Sequence, residues 1–184
     1  MMEKNLKDEI RILQDERDKR VEDLLECTSI AEPQSHRLHD VVGRLLAELR
    51  AHVAASRESM VAAGLVEACR ICEEEEGGSC CGRGMEEHYD GVLLLINLMS
   101  GAVIEQEWRD PESCLFLGSM GCRLPARDHI CVNYLCMKLG ERISPSAVAE
   151  MRKRQGRELD TLFRLTDHIT ILLQRFHAER GGDA

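Results

Sequence analysis

The chain has 184 residues, with 33 acidic against 24 basic side chains and a net charge of −9. That length can bury a hydrophobic core in a single domain without covalent staples. The negative charge repels phosphate backbones and anionic headgroups, which argues against nucleic acid and membrane partners and leaves only a protein partner open.

Residues 1–33 form the first unit. From Glu3 to Leu25, an apolar stripe of Leu6, Ile10, Leu13, Val21 and Leu24, interrupted by Arg17, predicts a long, mostly exposed helix packed on one side. An oligomerising helix is the alternative reading. Cys27, alone near its end, reads as a packing residue. The charged start lacks the apolar core of a secretion signal, so the chain is expected in the cytoplasm. There thiols stay reduced, and nine cysteines point to metal or redox chemistry rather than disulfides.

Residues 34–184 are expected to make one helical domain. After Ser35, a good N-cap, Leu38, Val41, Val42, Leu45, Leu46, Leu49 and Val53 recur at three- and four-residue spacing and define a buried helical face. The run from Glu73 to Gly84 reads as a tight loop, with Glu73 to Glu76 solvated. Met85 to Ser100 predicts a central buried helix ended by Gly101. Its apolar run, Val92 to Ile96 extended through Leu98 and Met99, is far short of the roughly 20 residues that span a bilayer.

Between Trp108 and Cys136 there is little periodicity, and the composition is that of an irregular loop fixed by something other than packing. Ser144 and Pro145 open a C-terminal helix whose face is Leu159, Leu162, Phe163, Thr166, Ile169, Leu173 and Phe176, reaching to near Ala178. With no fixed-period repeat, βαβ alternation, strand signal or glycine-rich nucleotide loop, the expected fold is all-α: a helical bundle around an irregular, cysteine-rich metal-binding knot at 69–136.

The cysteines carry the chemistry. The first group is Cys69-x2-Cys72-x7-Cys80-Cys81 and the second is Cys114-x7-Cys122-x8-Cys131-x4-Cys136. A C-x2-C pair brings two thiolates to one ion from a single turn of backbone, and nearby glycines let later chain fold back to complete a four-sulfur shell. Adjacent Cys80 and Cys81 diverge and do not easily ligate one ion together, so one of them is a candidate for a second site. The eight thiols fit two four-ligand sites, or one site with the remainder as packing, redox or transient ligands.

His88 and His129 lie nearest the cysteine groups and are candidates to complete a mixed sulfur–nitrogen site. His36 and His39 read as solvent-facing, and His52, His168 and His177 carry no ligand signal. Thiolates suit zinc, copper(I) and iron–sulfur clusters and disfavour magnesium and calcium. No Ser-His-Asp order, paired-carboxylate motif or nucleophile turn stands out, so catalytic residues are not assigned.

The stretch Cys114 to Cys136, CLFLGSMGCRLPARDHICVNYLC, resembles the second half of the YkgJ-like family of cysteine-cluster proteins, described as zinc- or iron-chelating. Cys69, Cys72, Cys80 and Cys81 supply its first element across a longer gap. Cys114, Phe116 and Leu117 match the next, Gly121 and Cys122 the following one, Arg127 its arginine, and Cys131, Tyr134 and Cys136 its ending. Asp128 stands where the family has proline.

The resemblance implies metal chelation by the eight clustered cysteines. A distant likeness to flagellin lysine N-methylases raises methyl transfer. The leading expectation is a protein whose clustered thiolates hold zinc or an iron–sulfur cluster in a structural or regulatory role. An iron–sulfur redox or methyl-transfer enzyme is the alternative, and a thiol-based carrier or sensor is a third reading.

Overall fold

The computed structural model describes residues 33–75, 80–104 and 107–181, and is mainly helical. The expected helix over Glu3 to Leu25, and Cys27, lie outside the described residues. Two long helices, α1 (Pro33–Ala62) and α6 (Pro145–Gly181), make the most extensive pairing in the fold. On α1 the buried stripe is Val42, Leu45, Leu46, Leu49 and Val53, as the spacing predicts.

On α6 the buried positions include Met151, Gln155, Glu158, Leu162, Leu165 and Ile169, a three- and four-residue repeat with polar side chains in it, and Thr161 beside them. The expected apolar face is therefore rotated. Phe163 points outward at 72% exposure, because polar Gln155 and Glu158 hold inward positions that hydrophobicity alone does not reveal.

Gly64, at φ +74°, turns the chain from α1 into α2 (Leu65–Glu75). The loop expected from Glu73 thus begins later, with Glu73 to Glu75 still helical. Glu73 is not merely solvated either, since it accepts a hydrogen bond from Ser113 Oγ. A 3-10 turn (Met85–His88) precedes α3 (Gly91–Met99).

The central helix is shorter than expected because Asp90 caps it, its Oδ1 accepting from Leu93 N at 2.8 Å. Leu93 to Leu98 are all buried, which agrees with a central position. A two-residue hairpin, β1 (Leu117–Gly118) and β2 (Gly121–Cys122), pairs Leu117 with Cys122 and Gly118 with Gly121. No strand signal predicts it, since two residues are too few to show alternation. Two short helices follow, α4 (His129–Asn133) and α5 (Met137–Arg142).

The interior divides into two clusters. The larger joins α1, α3, the hairpin region and α6 around Leu49, Leu94, Ile96, Leu115, Phe116 and Leu165. The smaller gathers Leu65, Leu139, Ile143 and Met151 from α2, α5 and α6. Among the described residues no helix is long and apolar enough to cross a membrane.

Candidate metal centre

Four thiols line a cavity beside the smaller cluster, and four belong to the larger one. Cys69 and Cys72 stand one turn apart on α2, Cys136 caps the start of α5, and Cys80 follows from the loop. These four line one cavity of about 20 Å³, together with Ala68, Leu139, Lys138 and Arg142. Cys69 and Cys136 pack against the smaller cluster. Burial, then the neighbouring Cys80, Cys136 and Cys72, pushes the Cys69 thiol up to about 11.

Cys81, Cys114, Cys122 and Cys131 belong to the larger cluster. The Cys114 amide donates to the Cys81 carbonyl at 2.8 Å, and an isolated bridge pairs Gly82 with Ser113. The hairpin then returns the chain so that Cys122 stands opposite Leu117. Tyr89, edge-on to Phe116 at 4.8 Å between ring centres, places its hydroxyl 3.8 Å from Cys122 Sγ and also reaches Cys131. The Asp128 amide donates to that hydroxyl oxygen at 3.3 Å.

Burial first, and the neighbouring thiols after it, raise this group. The Cys131 thiol goes up to about 11. Cys114, whose strongest influence is also burial, goes up to about 12. Tyr89 is shifted upward by burial and by Cys122 and Cys131, so it stays a neutral donor.

The adjacent pair joins the two groups. A hydrogen bond between the thiols draws Cys80 down to about 7. The same bond, and then burial, raise Cys81. Cys81 interacts with Cys122 and Cys131, whereas Cys80 interacts with Cys69. The two thiols stay within hydrogen-bond reach of each other, yet Cys80 lines the first cavity and Cys81 packs on the larger core.

Cations accompany both groups. Lys138 and Arg142 line the first cavity. Beside the second, Arg57 from α1 donates to the carbonyls of Cys122 at 3.1 Å and Leu124 at 2.7 Å. Arg127 forms a buried two-pronged ion pair with Glu158 of α6 at 2.9 and 3.0 Å. Its Nη2 also lies 3.4 Å from Ser56 Oγ. Two carboxylates oppose these charges, Glu86 near Cys114 and Asp128 near Cys131.

Further polar groups fix the loop. Buried Asn97 donates to Ala126 O at 2.9 Å and accepts from Ala126 N at 2.8 Å, satisfying both main-chain polar groups of that residue. Buried Glu86 accepts from Gly84 N at 3.1 Å. Asp128 caps α4 by accepting from Ile130 N at 2.8 Å. Sequence reasoning singled out neither Glu86, Tyr89 and Asn97 nor Arg57 and Glu158. Only Asn97 carries a signal, as a polar residue inside the apolar run GVLLLINLM.

All eight expected cysteines thus fall into the two groups, and none is disulfide-bonded. His88 and His129 join neither group. Both are exposed, and His129 Nδ1 lies 3.3 Å from Asp128 Oδ2. Among the described residues, no three His, Cys, Asp or Glu side chains are drawn tightly enough together to enclose an ion as they stand.

The donor set nevertheless suits a thiophilic ion. Four sulfurs border a space of about 20 Å³, and a void of roughly 10–15 Å³ already admits one water-sized species. Flanking cations would offset the charge of a four-thiolate complex. Compared with protein-family models, curated proteins and solved structures, the chain matches none.

Proposed function

We propose that the protein is a cysteine-rich metal-binding protein whose clustered thiolates hold zinc, or alternatively an iron–sulfur cluster, and thereby fix the segments between its helices in a structural or regulatory role. One observation carries this reading: Cys69, Cys72, Cys80 and Cys136, from α2, the following loop and the start of α5, border a single cavity. Cys69 and Cys136 also pack on the smaller cluster, and what packing alone does not require is that Cys72 and Cys80 join them at one void beside Lys138 and Arg142.

The volume favours a single ion. A space of about 20 Å³ is of the order of one bound ion, and the four thiols would have to draw together around it. The likeness of residues 69 to 136 to the YkgJ-like chelating family supports the same chemistry. Bound zinc would replace the thiol protons and cross-link the chain, so its binding energy would add directly to folding.

Anaerobic purification, followed by visible absorption and assay of metal and acid-labile sulfide, tests this. A colourless protein with stoichiometric zinc is the expected result. A brown sample with iron and sulfide would assign the thiols to an iron–sulfur cluster. A folded protein that takes up neither would overturn the reading.

A further inference from the structure

Resting on the reading that these thiolates hold metal, we infer that the chain carries two four-thiolate sites of unequal exchange, joined through the Cys80–Cys81 peptide: an inner, permanent one at Cys81, Cys114, Cys122 and Cys131, and an outer, exchangeable one at Cys69, Cys72, Cys80 and Cys136.

The assignment follows from position. Cys80 lines the cavity with Cys69, Cys72 and Cys136, whereas Cys81 packs on the larger core with Cys114, Cys122 and Cys131. The inner four stand on the larger core beside Leu115 and Phe116, which are 0% and 2% exposed. Main-chain hydrogen bonds, the hairpin and the Arg57 clamp on the Cys122 carbonyl hold their backbone. Cys114 is buried and the other three are half-buried, so the hold on an ion there comes from these elements, which part only when the main core opens.

The outer four sit differently. Cys80 is exposed, and the cavity is walled by α2 and the six-residue α5 against the smaller cluster. Few buried contacts must break for a chelator to reach this ion, so it exchanges in the folded protein. Because Cys81 and Cys80 share a peptide, filling either site fixes a ligand of the other.

The test uses the full chain loaded with zinc under reducing conditions. A chromophoric chelator in excess reports zinc release, and circular dichroism reports folding in parallel. Two equivalents are expected, one released from folded protein and the other, at least about tenfold more slowly, together with loss of helicity. The Cys72→Ser, Cys136→Ser double variant should stay folded, lose the fast equivalent and keep the slow one.

The inference is overturned if the chain binds one equivalent only, if both equivalents leave at one rate, or if the double variant loses the slow one. A folded chain binding no zinc would instead sink the underlying metal-binding reading. Cys122→Ser is expected to lower folding yield as well as zinc content, so the decisive comparison is the double variant.

Discussion

Tyr89 sets its hydroxyl 3.8 Å from Cys122 Sγ while its ring lies edge-on against Phe116, so one side chain anchors the inner thiols to the hydrophobic core. The Asp128 amide occupies the oxygen as a donor at 3.3 Å, which leaves the hydroxyl proton for sulfur. Tyr89→Phe keeps the packing and removes both bonds. Denaturant unfolding should show a loss of about 1 kcal/mol. A zinc competition titration should show affinity at the inner site weakened by about 10–100-fold. Unchanged affinity would mean that the tyrosine only packs.

The ion pair between Arg127 and Glu158 is buried at 4% and 0% exposure, far from the screening of solvent. Removing one partner strands a charge in the interior. Glu158→Gln, or Arg127→Met, should each cost about 3–5 kcal/mol, whereas the double variant should cost much less than their sum. Chemical denaturation of the four proteins in a thermodynamic cycle measures this, and additive losses would show that the pair is not coupled.

Much of the fold is legible in the chain because helical spacing is a local signal. Val42, Leu45, Leu49 and Val53 announce α1, and Ser144-Pro145 marks the start of α6. The inward turn of Glu158 is not legible, because a carboxylate reads as surface until Arg127, distant in sequence, is seen to meet it. The eight cysteines stand out by clustering alone. Their partition does not, since it depends on where the hairpin returns Cys122 and on α5 carrying Cys136 back to α2.

Raised thiol values give the metal-free protein a definite pH dependence. Cys69 and Cys131 are held up at about 11 and Cys114 at about 12, above an ordinary value near 9. A group raised on folding contributes stability that is fully present below its unfolded value and is lost as pH climbs through its folded value. The apo protein, kept reduced, should therefore weaken steadily from about pH 9 towards 12. Zinc-loaded protein, whose thiolates are already deprotonated, should lack that decline and instead release metal on acidification. Urea midpoints across this range, with and without zinc, measure both limbs, and parallel profiles would contradict the assignment.

The hairpin that returns Cys122 rests on two glycines for different reasons. Gly121 adopts φ +95°, and a Cβ there would meet nothing within 4 Å. Its requirement is torsional. Gly121→Ala should cost about 1 kcal/mol through backbone strain alone. Gly118 instead lacks room, since a Cβ would lie 2.8 Å from Arg123 Cγ. Arg123 donates to Leu115 O at 2.7 Å, and displacing it would loosen the strand that leads from Cys114 to Cys122. Gly118→Ala should therefore speed zinc loss from the inner site, and because its effect runs through Arg123, adding Arg123→Ala to it should cost little beyond Arg123→Ala alone. In Gly121→Ala, whose strain is independent of that side chain, Arg123→Ala should add its full cost. Zinc release rates of the three single and two double variants separate a steric cause from a torsional one, and additive losses in both double variants would refute the distinction.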